Sequence, residues 1–160
     1  LGSVFGMGTV EHCNALIDDA LAKGAKLVCG GKAESTLMPA TLLDRVTPSM
    51  RIYREETFGP VKCIVRVDGV EAAVDCANDN EYGLSAAVFG RDIGRALNVA
   101  RRIESGICHV NGPTVHDEAQ MPFGGVKGSG IGRFGGKAGV AEFTELRWIT
   151  VQTTPRHYPF

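Results

Sequence analysis

Residues 61–110 read VKCIVRVDGVEAAVDCANDNEYGLSAAVFGRDIGRALNVARRIESGICHV, and their texture alternates along the chain. Residues 61–67 are rich in β-branched side chains and predict a strand. Val70, Ala73, Val74 and Ala77 then recur at helical spacing. Residues 84–89 are apolar and strand-like. Asp92 follows as a helix cap, ahead of an apolar stripe of Ile93, Ala96, Leu97, Ala100 and Ile103. Gly106 ends that helix, and residues 107–110 predict a third strand. Strand–helix–strand–helix–strand at this spacing gives two consecutive crossovers. The expected fold class is therefore α/β, with a largely parallel sheet.

Outward from this block the signals thin. Toward the N-terminus, Val10, Cys13, Leu16, Ile17, Ala20 and Leu21 form a helical stripe stopped by Gly24. Residues 26–29 then predict a short strand ending at Gly30-Gly31, and residues 37–46 an extended stretch. Toward the C-terminus, residues 111–136 are glycine-rich and lack periodicity. A loop of that length inside a domain points to function or disorder. Residues 140–143 predict a short helix. Residues 146–153 (Leu146 through Thr153) alternate toward a terminal strand carrying Trp148 and Val151. Such a strand is an open edge, suited to covering by another subunit.

Composition narrows the function classes. The chain has 160 residues, 44% hydrophobic and 22% charged, which is ordinary for a globular protein. A formal net charge of −1 gives no electrostatic grip on nucleic acid or an anionic membrane, and neither is expected as a partner. No apolar run approaches the roughly 20 residues that span a bilayer. The five cysteines are widely spaced and include no C-x-x-C pair, which argues against a disulfide framework and a zinc site. A cytoplasmic setting is expected. Cys13, Cys29, Cys63 and Cys76 fall on apolar faces and read as core.

Three stretches carry a family resemblance: Glu55-Glu56-Thr57-Phe58-Gly59-Pro60; Asn78 through Glu81-Tyr82-Gly83-Leu84; and Pro122-Phe123-Gly124-Gly125-Val126-Lys127-Gly128-Ser129-Gly130, leading into Gly132-Arg133. In order, spacing and residue type they resemble the aldehyde dehydrogenase superfamily. Residues 114–120 and the terminal Pro155-Arg156-His157-Tyr158-Pro159-Phe160 look most like its bacterial aromatic-aldehyde members, of the vanillin and salicylaldehyde type. The resemblance implies that residues 1–145 are the C-terminal portion of the catalytic domain and residues 146–160 an oligomerisation strand and tail. It also implies a homo-oligomer assembled through residues 146–153.

The resemblance further implies NAD(P)-dependent oxidation of an aldehyde to the carboxylic acid, with NAD or NADP as cofactor. In that family a cysteine thiolate adds to the carbonyl, the thiohemiacetal gives hydride to the nicotinamide, and water hydrolyses the thioester. Glu56 matches the family glutamate that accepts hydrogen bonds from the nicotinamide ribose hydroxyls, a role suited to two acceptor oxygens. Phe58 matches the aromatic residue packed beside the nicotinamide. Phe123 matches a wall of the aldehyde tunnel, although a buried aromatic serves equally as core.

No catalytic residue is expected in this chain. The family nucleophile lies farther upstream of Glu56 than the 55 residues that precede it here, and the general-base glutamate and dinucleotide-binding domain lie farther still. The isolated chain is therefore expected to be inactive. Cys108, beside His109, is read as a small apolar strand residue. Gly130-x-Gly132-x-x-Gly135 matches a dinucleotide fingerprint in spelling, but no strand precedes it. His116, Asp117 and Glu118 read as solvated polar residues of the substrate-entry segment. Phe134 stands where many relatives carry a glutamate, which puts a proton relay there in doubt. The competing class is a non-catalytic interaction module that kept the fold.

Overall fold

A computed structural model describes residues 1–159, so Phe160 lies outside the description. The chain divides into two compact units, Leu1–Cys76 and Ala77–Phe160.

The first unit is built on helix α1 (Met7–Ala22). Of its predicted stripe Val10, Cys13, Leu16, Ile17 and Ala20 are fully buried, whereas Leu21 is exposed. Gly24, at φ 99°, turns the chain out of the helix, and the Ala25 amide closes it on the Ala20 carbonyl (2.9 Å). Strands β1 (Lys26–Cys29), β2 (Thr41–Asp44) and β3 (Val61–Cys63) form one sheet in that order. β1 and β2 are antiparallel, whereas β2 and β3 run parallel from Thr41↔Val61 to Leu43↔Cys63. Leu43, Val46, Met50, Ile52 and Val61 close the core against α1. A 3₁₀ turn, Arg51–Tyr53, leads toward the Glu56 segment.

At the end of the central strand β2, Arg66 grips Asp44 with two parallel bonds, Nε–Oδ1 at 2.8 Å and Nη2–Oδ2 at 2.7 Å. The guanidinium, aided by the Arg45 amide, holds the Asp44 carboxyl below its ordinary value. The unfolded chain therefore takes up this proton first as pH falls. The stabilisation is present above the ordinary aspartate range and lost on acidification through Asp44's depressed value. Thermal melts below about pH 4 should show a steeper loss of stability for the wild type than for Arg66→Ala. Parallel acid limbs would remove the pair from the account.

Helix α2 (Gly69–Asn78) runs to the boundary between the units. In the second unit, β5 (Ser85–Val88) pairs in parallel with β6 (Ile107–Val110), in register from Ser85↔Ile107 to Val88↔Val110. Helix α3 (Ile93–Ala100) makes the crossover, capped as predicted by Asp92, whose Oδ1 accepts from the Arg95 amide (3.0 Å). Short strands β4 (Tyr82–Gly83) and β7 (Val126–Lys127) pair antiparallel, and α4 (Gly136–Glu142) follows the glycine-rich segment.

The mixed α/β class matches the expectation, with several corrections in detail. Only the second of the two expected crossovers closes a parallel pair, because β3 hydrogen-bonds to β2 instead. Ala96 and Ala100 are buried, but Ile93 and Leu97 of the same stripe are exposed. Cys29 and Cys63 are exposed and Cys76 only half-buried, so of the four cysteines read as core, Cys13 alone is. Periodicity reports which face is apolar, not whether anything covers it. The glycine-rich segment is more ordered than a loop: Phe123 and Phe134 exchange backbone bonds of 2.8 and 2.7 Å. The expected strand at residues 146–153 does not form. Among the described residues it has no ladder partner, and Leu146, Trp148, Ile149 and Val151 stand exposed. No helix among the described residues is long and apolar enough to cross a membrane.

Candidate functional site

The Glu55–Pro60 turn is held from beneath by α1. His12 donates from Nε2 to the Glu56 carbonyl (3.0 Å), and the Cys13 thiol donates to the Thr57 carbonyl (3.3 Å). Gly59 packs so closely that an added Cβ would sit 2.5 Å from Cys13 Sγ. Thr57, buried, donates from Oγ1 to the Gly59 carbonyl (3.1 Å). The turn is thus pinned at Glu56, Thr57 and Gly59, on either side of Phe58.

What it presents is less comfortable. Phe58 adopts φ 47° and leaves its ring 79% exposed. A bulky residue in the left-handed region costs about 1–3 kcal/mol, and such strain concentrates at ligand sites. The two neighbouring glutamates differ sharply. Arg51 takes Glu55 with bonds of 2.7 and 2.8 Å and holds its carboxyl below the ordinary value. Glu56 is exposed and has no ion pair among the described residues. Glu56 and Phe58 line one open cleft of about 560 Å³, together with Phe5 and Lys62. The sequence-predicted pair therefore borders a single shallow, open depression.

The second unit has its own cavity, about 380 Å³, against β6 and the glycine-rich segment. Phe123, half-buried, forms one wall with Met121 and Pro122, and Ile107 and Cys108 come from the strand. Burial pushes the Cys108 thiol up from its ordinary value, which disfavours the thiolate a nucleophile needs. His109 and His116 also line this cavity, their rings edge to face at 5.5 Å. Sequence reasoning missed this juxtaposition: His109 lies on a strand and His116 on a loop, and no spacing rule joins them. His116 sits 3.4 Å from Glu118, and both are half-exposed, in keeping with solvated residues. Among the described residues no group of three His, Cys, Asp or Glu side chains is arranged to hold a metal.

Lys127 is a further residue the sequence did not single out. Its ammonium donates to the Asn78 (2.8 Å) and Asn80 (3.1 Å) carbonyls and pairs with Glu104. Asn78 in turn donates to the Arg102 carbonyl and accepts from the Glu104 amide. These bonds lock β7, and with it the Phe123 segment, to the end of α2.

Comparison with known proteins identifies the family. Residues 1–149 match the model of the aldehyde dehydrogenase family. A vanillin dehydrogenase from Pseudomonas fluorescens is 62% identical over 99% of this chain and 33% of its own length. The crystal structure of a salicylaldehyde dehydrogenase from Pseudomonas putida G7, complexed with salicylaldehyde, superposes with a TM-score of 0.86 at 54% identity. It covers 96% of this chain and 32% of that one. A Mycobacterium tuberculosis aldehyde dehydrogenase complexed with NAD+ gives 0.82 at 33% identity, over 91% and 31%. The chain thus spans about a third of the length of the relatives it matches. The chain belongs to the aldehyde dehydrogenase family.

Proposed function

We propose that this chain supplies the nicotinamide-ribose contact and part of the aldehyde-binding wall of an NAD(P)-dependent enzyme that oxidises an aromatic aldehyde to its acid. The observation that carries this reading is the shared cleft of Glu56 and Phe58: a carboxylate with no ion pair among the described residues and an exposed, strained ring. Those two groups fit a ribose and a flat heterocycle. The relatives' own substrates, vanillin and salicylaldehyde, favour an aromatic aldehyde.

Once bound, the dinucleotide supplies the hydride acceptor. The residues of this chain bind and orient. Glu56 accepts from two adjacent ribose hydroxyls, one per carboxylate oxygen. Phe58 packs on the nicotinamide end and restricts its swing. Phe123 offers a flat apolar wall to the aldehyde ring. The nucleophilic cysteine and the general-base glutamate belong to a part of the protein outside these residues. In this reading residues 1–145 complete the catalytic domain, and residues 146–153 find their ladder partner in another subunit. Five free cysteines suit a reducing compartment such as the cytoplasm.

The complete protein carrying these residues should reduce NAD or NADP when given vanillin, salicylaldehyde or benzaldehyde, followed by the absorbance of the reduced nicotinamide. The 160-residue chain alone should give no signal. Absence of turnover by the complete protein with all three aldehydes would overturn the proposal.

A further inference from the structure

We infer that His109 is a specificity determinant of the Phe123 cavity, hydrogen-bonding a ring hydroxyl of a phenolic aldehyde through Nε2. The inference rests on reading that cavity as part of the aldehyde site. Nε2 of His109 is shut off from solvent and has no hydrogen-bond partner among the described residues. Folded proteins rarely leave such an atom unanswered, and an exception calls for an explanation.

The surroundings supply one. His109 is fixed on β6 opposite Ala87 of β5, so its backbone cannot shift to find a partner. The ring beside it belongs to His116, a half-exposed side chain on the loop, standing at 86° with its own Nε2 near Glu118. A turn of that surface side chain opens His109 to the cavity. Ile107, Met121, Pro122 and Phe123 give the cavity an apolar, partly aromatic side, as a flat ring requires, and 380 Å³ falls within the usual range for small-molecule sites, about 300–1,000 Å³. A phenol answers the nitrogen whichever tautomer it holds, because its hydroxyl both donates and accepts. An anionic ring substituent would instead meet Asp117 and Glu118, which also line the cavity.

The test uses the complete protein and compares kcat/KM for 2-, 3- and 4-hydroxybenzaldehyde with that for benzaldehyde. In the wild type at least one hydroxy isomer should be favoured. His109→Leu should cut that preference, read as the ratio of the hydroxybenzaldehyde kcat/KM to the benzaldehyde kcat/KM, about tenfold, the worth of one well-made hydrogen bond. His109→Gln, which keeps a polar group at similar reach, should recover part of it. An unchanged preference in His109→Leu would overturn the inference. A second measurement is independent of turnover: in histidine-labelled protein, phenol should move one imidazole signal that toluene leaves in place, and His109→Gln should lack that signal. Equal response to phenol and toluene also overturns the inference. A phenol-specific shift in a protein that oxidises no aldehyde would sustain the role of His109 and sink the aldehyde reading instead.

Discussion

Gly106→Ala should cost the chain about 3 kcal/mol or more, enough to loosen the glycine-rich segment from β6. Gly106 immediately precedes β6, and its amide donates to the Gly83 carbonyl (3.0 Å). A Cβ there would overlap the Gly124 carbonyl oxygen, lie 2.7 Å from its carbon, and come within 3.0 Å of Gly125 Cα. All three atoms are backbone, so no side-chain rotation relieves the clash. The facing Gly83 is equally constrained, since its Cβ would overlap the Glu104 carbonyl oxygen and lie 2.8 Å from Val126 Cγ2. Three stretches of main chain therefore meet without side chains between them, and this contact sets where Phe123 stands. Denaturant unfolding is the measurement, with Gly8→Ala as the reference. Gly8 lies in α1 with open space around its would-be Cβ, and alanine there should stabilise by about 0.5–1 kcal/mol. Equal stability of Gly106→Ala and wild type would mean that the segment does not pack on β6 as described.

That close approach also shows what sequence can and cannot carry. The crossover from β5 through α3 to β6 was legible because its parts announce themselves locally: a β-rich run, Asp92 as cap, an apolar stripe; the helix nevertheless ends at Ala100, ahead of Ile103 and of the expected stop at Gly106. α1 was legible for the same reason. The partner of β3 was not, since a strand reads alike whichever neighbour it pairs with, and pairing with β2 is a long-range choice. The alternation at residues 146–153 was real, but alternation describes a strand's faces and supplies no partner for its backbone. Among the site residues, Glu56, Phe58 and Phe123 came from the family resemblance. Chemistry alone would not have separated Glu56 from Glu55. Only the structure shows Glu55 spent on Arg51 and Phe58 held at a positive φ. His109 needed both a strand register and a loop position before its unanswered nitrogen became visible.

The contrast between the two glutamates leads to the second large effect. In the complete protein, Glu56→Gln should raise the KM for the dinucleotide about 10–100-fold, the worth of hydrogen bonds to a charged acceptor. Glutamine keeps one acceptor oxygen but puts an N–H donor where the second ribose hydroxyl needs an acceptor, so the pair cannot both be satisfied. The loss should fall on the nucleotide and leave the aldehyde KM nearly unchanged, because Phe123 and its cavity are untouched. Glu55→Gln is the control. It removes the same charge one residue away, but that carboxylate already serves Arg51, so the nucleotide KM should stay within about twofold while stability falls slightly. General electrostatics would make the two substitutions equivalent, since their net charge change is identical. A site built on the Glu56 carboxylate makes them differ by an order of magnitude. If both variants shift the nucleotide KM alike, the cleft beside Phe58 is not where the cofactor is held.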